Sequence, residues 1–112
     1  MDRYVARANI DHYLNILKDR NLTAQRRSTT IALLIAELDK LSEDVEHLEF
    51  AEIRIGISRQ EIAQARARRD TVSFGTSDRD DAEKHLIHLE NVHTMLDDFC
   101  HRLRHKIGSR PA

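Results

Sequence analysis

Apolar residues recur along most of the chain at intervals of three and four, the spacing that lines one face of an α-helix. Ala6, Ile10, Tyr13, Leu14 and Leu17 mark a first amphipathic helix over about residues 3–20, closed by the turn Asn21-Leu22-Thr23. Thr23 is placed to cap the next helix, because its hydroxyl can accept an amide proton orphaned at a helix start. From there Ile31, Leu34, Leu38, Leu41, Val45 and Leu48 alternate three and four steps without a fault, which is a heptad seam. The seam positions run on as Glu52, Ile55, Arg59 and Ile62, so the pattern predicts one long helix over 24–70. "GISRQE" offers a break at 56–58, since Gly56 is followed by the capping-box pattern Ser58-x-x-Glu61. The unbroken phase favours a glycine tolerated within a rod, at a cost of about 1 kcal/mol.

"DTVSFGTSD", residues 70–78, then reads as a turn, with Ser77 as N-cap and Asp78, Asp80 and Asp81 on the favourable end of a helix dipole. A last helix over 78–107 carries an apolar arc of Leu86, Leu89, Val92, Leu96, Phe99, Leu103 and Ile107, and Gly108 and Pro111 end it, leaving a tail at 108–112. Three glycines and one proline in 112 residues leave little to interrupt these helices. The fold class is all-α, in a single domain.

Folding the chain back at Phe74 sets the last helix antiparallel to the long one. Charge supports this hairpin: Arg66, Arg68 and Arg69 fall opposite Asp80, Asp81 and Glu83, while Arg102, Arg104 and Lys106 fall opposite a stretch holding Glu37, Asp39, Glu43, Asp44 and Glu46. The short first helix folds over 24 to about 42. At most levels two helices then lie side by side, and two helices cannot enclose a core. Phe50, Ile53 and Ile57 add a second apolar stripe, off the seam and in need of cover. A second copy of the chain provides that cover and completes a four-helix bundle by two-fold symmetry. Phe50, Ile53, Ile57 and Ile62 are the expected interface, with Glu52 and Arg59 as polar positions that fix register. The alternative is a break at Gly56 and a monomeric four-helix bundle that covers the stripe itself.

A net charge of −1 gives no overall pull toward nucleic acid or anionic lipid. No apolar run approaches the roughly 18 residues that span a bilayer, and the N-terminus lacks a signal peptide's apolar stretch. A cytoplasmic protein without membrane association is expected, and the lone Cys100 suits a reducing compartment.

Residues 85–106 hold five of the seven histidines and raise the question of a metal. Asp97, His101 and His105 are i+4 neighbours, a spacing at which two imidazoles can share an ion, and His93 lies one turn before Asp97. They point roughly 100, 140 and 180° from Leu96, away from the apolar arc, so closing the site would require a second chain. His47 falls level with them but points away from its own seam. Glu90-x-x-His93 has the form that ferritin-like di-iron sites take from paired helices, yet its counterpart Asp44-x-x-His47 lies some 15 Å along the axis. His88 and His101 lack the lysine-glycine context of phosphotransfer histidines. Cys100 falls within the apolar arc and reads as a small core residue.

No Gly-rich phosphate loop, HExxH string or Ser/His/Asp order is present, so neither an enzyme nor a cofactor is expected. "QARARRD", with Arg20, Arg26 and Arg27, is a candidate phosphate-contacting face. Its arginines face aspartates of the last helix, and two tyrosines and three phenylalanines leave little for base stacking. The segments "NIDHYLNIL", "LTAQRR" and "LLIAELDKL" resemble a stretch found in small uncharacterised helical proteins of alphaproteobacteria. The resemblance covers about a third of the chain and implies a bacterial helical protein with no activity attached. The expected function is that of a non-enzymatic adaptor or regulator, binding a protein partner as a homodimer. Metal binding through the C-terminal histidines is the alternative, and nucleic-acid binding the third reading.

Overall fold

The computed structural model describes residues 2–42 and 44–108, with side chains over 4–42 and 44–106. Four α-helices succeed one another: α1 (Asp2–Leu17), α2 (Ala24–Leu41), α3 (Leu48–Asp70) and α4 (Ser77–Gly108). A short 3₁₀ turn, Val45–His47, leads into α3. The all-α expectation holds. Apart from Gly108, the tail expected at 108–112 lies outside the described residues, as does Glu43 among the acids expected to face the C-terminal cations.

The long helix over 24–70 does break, though not at Gly56. The break falls at 42–47, where polar side chains compete with the helix for its own backbone. Ser42 turns both its amide and its hydroxyl onto the carbonyl of Asp39, at 3.4 and 2.9 Å. Asp44 is extended (φ −116°, ψ 107°) and its Oδ1 accepts from the amide of Glu46 at 3.1 Å. Gly56 is carried inside α3, as the uninterrupted phase implied.

Beyond the break the helical phase is reset. α3 buries Ala51, Ile55, Ser58, Ile62 and Ala65, again at steps of four and three. Ile55 and Ile62 keep their expected places. Glu52 and Arg59, expected on the seam, are exposed, and the small residues Ala51 and Ser58 stand there instead.

The four helices form two antiparallel hairpins, α1–α2 and α3–α4. Thr23 caps α2 as expected, its Oγ1 accepting from the amide of Arg26 at 3.1 Å. At the second turn Gly75 takes a left-handed φ of 78°, and Thr76 rather than Ser77 supplies the cap, accepting from the amide of Arg79 at 3.1 Å. Arg79 is 8% exposed and closes this hairpin. Its Nη1 donates to the carbonyls of Arg69 and Val72, its Nε to Glu83, and its guanidinium covers the Phe74 ring at 3.9 Å.

The hairpins pack with α1 parallel to α3, shown by ion pairs that advance together along both helices: Asp11 with Arg54, then Lys18 with Glu61. Ile10, Leu34, Leu38, Phe99, Cys100 and Leu103 form the dense part of the shared core, each at most 1% exposed. A smaller cluster of Ile62, Ala65, Leu86 and Leu89 lies toward the second turn. The break thus supplies the fourth helix, and the two hairpins of one chain share a core. That removes the packing deficit from which a second copy was inferred. The molecule is elongated, 55 × 27 × 16 Å, with a radius of gyration of 15.8 Å against about 13 Å for a compact chain of this length.

Candidate functional site

α3 turns one face to the core and the opposite face to solvent. Ile53, on the outer face, stays 49% exposed, and Ile57, one turn on and at the edge of that face toward α1, 41%, with Gly56 next to it in the chain. A Cβ built at Gly56 meets nothing within 4 Å, so the fold itself does not require glycine there. Phe50 and Ile62, the other two residues expected at an interface, are 8% and 7% exposed and belong to the chain's own core. Phe50 is covered from α1 and from its own helix: the guanidinium of Arg7 lies over its ring at 5.2 Å and that of Arg54 at 4.4 Å. Glu52 is held loosely by Arg104 at 3.5 Å, and Arg59 is exposed.

Beside Ile57 a cleft of about 570 Å³ opens between α1 and the α3–α4 hairpin. Its floor is apolar, from Leu14, Leu17, Leu89, Val92 and Leu96. Its rim is closed by ion pairs. Arg54 holds Asp11 through two hydrogen bonds, of 2.5 and 2.8 Å, which raise the Arg54 pKa against the effect of burial. Lys18 reaches Glu61 at 3.6 Å.

The histidines expected to bind metal do not come together. Asp97, His101 and His105 are exposed on α4, and His93 turns inward, its Nδ1 3.0 Å from the buried Ser58 Oγ. Glu90 is engaged by Arg66 at 3.2 Å, which removes the Glu-x-x-His pair. The described residues converge instead at Asp44, Glu46 and His47, whose ligand atoms lie within 4.8 Å of one another. His47, expected to point outward, is 1% exposed, because the break at 42–47 turns it under the N-terminal half of α1. Arg7 Nε donates to its Nδ1 at 2.9 Å. A guanidinium can only donate, so Nδ1 is the acceptor and the neutral ring carries its proton on Nε2. That proton faces Asp44 and Glu46, each at 3.9 Å. A metal at Nε2 would displace that proton, forcing it onto Nδ1 against the arginine donor or off the ring altogether. The arrangement suits a buried, oriented imidazole better than a ligand.

Two arginines of the basic stretch of α3 are neutralised locally, in a register different from the one expected. Arg66 pairs with Glu90 and Arg69 with Asp70, while Glu83 is taken by Arg79. At the other end Arg102 meets Asp39 at 2.9 Å, as the acidic stretch implied. Cys100 is fully buried, and burial pushes its thiol pKa up. Compared with known proteins, the chain matches no family model, no characterised protein and no solved structure.

Proposed function

We propose that the chain is a non-catalytic helical interaction protein that works as a homodimer, joined through the outer face of α3. The carrying observation is Gly56. In a helix interior it costs about 1 kcal/mol relative to alanine, and no neighbour within the chain forbids a side chain there. A glycine on the outer face beside the exposed Ile53, without use inside the fold, suits the close approach of another helix.

The second copy is favoured as the occupant by charge and by shape. A two-fold axis crossing α3 at Gly56 runs the copies antiparallel, so Ile53 of each lies against Gly56 of the other. The same operation brings Glu52 of one copy beside Arg59 of the second, and Arg59 beside Glu52. Exposed pairs of this kind contribute less than about 1 kcal/mol, so they set register more than they stabilise. A net charge of −1 leaves little repulsion between copies.

Sedimentation equilibrium at micromolar concentration tests the proposal. The expected mass is twice that of the chain, and Ile53→Asp returns it to the monomer with helicity retained. A wild-type protein that sediments as a monomer across this range overturns it.

A further inference from the structure

The turn between α1 and α2 stands against the first half of α4 and encloses a hollow of about 440 Å³. Arg20, Arg27, Lys84, His85 and His88 line it, with Asp81 as its one carboxylate. The α4 contributors share one helix face, since positions 81, 84, 85 and 88 have the i, i+3, i+4, i+7 pattern. Arg27 stands one turn into α2, where the Thr23 cap fixes the start of the helix, and Arg20 comes from the turn itself.

Internal compensation of these cationic groups is incomplete: the Asp19 carboxylate favours the charge on Arg27, yet burial outweighs it and holds the guanidinium below its ordinary pKa. Arg27 Nη1 and His85 Nδ1 are buried with no hydrogen-bond partner among the described residues, and Arg27 Nη2 reaches the Asp19 carbonyl at 3.5 Å. Buried donors left unmatched are costly, and like charges in a partly desolvated hollow disfavour one another. The histidines report the same field. Burial first, then Arg20, His88, Arg27 and Arg68 hold His85 below its ordinary pKa, and burial, Arg27 and Lys84 do so for His88.

We propose that this hollow binds a small phosphate-bearing anion, either inorganic phosphate or a phosphate monoester, through Arg20, Arg27 and Lys84, with His85 and His88 as further donors. Three fixed cations outweigh Asp81 in the hollow and Asp19 beside Arg27, so the hollow stays net positive and favours an anion even with the histidines neutral. The donors outnumber what one carboxylate can accept, whereas a phosphate group has three terminal oxygens to receive guanidinium, ammonium and imidazole protons. An extended nucleic-acid backbone is disfavoured because, of the adjoining arginines of α3, Arg66 is taken by Glu90 and Arg69 by Asp70, which leaves Arg68 alone to extend the cationic surface.

The test is calorimetric titration of the full chain with inorganic phosphate and, separately, glycerol phosphate, at ionic strength fixed with chloride. Saturable binding is expected, accompanied by a rise in Tm that chloride does not reproduce. Arg27→Gln and the more exposed Lys84→Gln should each weaken it about tenfold, while Arg66→Gln leaves it unchanged. Tighter binding of one probe identifies the free ion or the ester as the ligand. The proposal is overturned by an absence of saturable binding, or by a Lys84→Gln variant that binds like wild type. A single-stranded oligonucleotide whose affinity grows with length and exceeds that of both probes overturns it in favour of a nucleic-acid surface.

Discussion

Arg7 and His47 meet across 40 residues of sequence, the guanidinium Nε donating to the imidazole Nδ1 at 2.9 Å. The contact ties α1 to the start of α3 at the point where the chain breaks between hairpins, and it fixes which nitrogen of a buried ring carries the proton. Arg7→Leu removes this donor from a 1% exposed imidazole. A loss of about 1–3 kcal/mol in urea unfolding is expected. Zinc added to the wild-type protein should leave its midpoint unchanged, because the outward nitrogen is protonated.

Much of this arrangement was legible in the chain, and the illegible part has a physical cause. The apolar faces of α1 and α4 were readable because nothing interrupts their period: Ala6, Ile10 and Leu17, and Leu86 through Leu103, are buried as their spacing implies. The break at 42–47 was hidden because Leu41, Val45 and Leu48 keep heptad spacing straight across it. Ser42 and Asp44 were the available signal. Their side chains compete for backbone more strongly than Gly56 weakens a helix, and a heptad count that runs through them carries Glu52 and Arg59 onto a seam they do not occupy. The same uninterrupted count places His47 on the outside and leaves the chain one helix short of a bundle. The basic hollow was harder to foresee, since Arg20 and Arg27 meet Lys84, His85 and His88 through tertiary packing alone. Their spacing on α4 was visible, but the neighbour was not.

Gly56 separates folding from association. With open space above it, Gly56→Ala should raise the stability of dilute protein by about 1 kcal/mol through helix propensity alone. The added methyl group stands where Ile53 of the second copy is proposed to pack, so the same variant should dimerise less tightly. Denaturation at low concentration and sedimentation at high concentration read the two effects independently. A variant both more stable and equally dimeric would place the contact elsewhere.

Cys100 provides a probe of opening. Its side chain is 0% exposed and burial raises its thiol pKa, so both access and thiolate formation are suppressed in the folded state. Labelling by a neutral-pH disulfide reagent should therefore proceed at the rate at which the core exposes the thiol. Phe99→Ala, which empties a fully buried site beside it, is expected to cost about 3–5 kcal/mol and to accelerate labelling in proportion to the open population.

His85 and His88 make stability depend on pH with a definite sign. Both are held below their ordinary value of 6.5, by burial first and then by the surrounding cations. Across the interval from that value down to the folded pKa, the unfolded chain binds more protons than the folded one. Stability contributed by the neutral rings is therefore complete above the ordinary value and is lost as pH falls through the interval. Urea unfolding at about pH 7.5 and about pH 5.5 should show a decline that the double variant His85→Gln/His88→Gln reduces. Substituting the exposed His101 and His105 should leave the decline in place. Phosphate acts in the opposite direction if it occupies the hollow, since an anion favours the charged imidazoles and lifts both pKa values toward or above the ordinary one. The acid-side decline should then shrink in phosphate relative to chloride at the same ionic strength. An equal decline in both salts would leave the histidines as a buried cationic strain with no anion to relieve it.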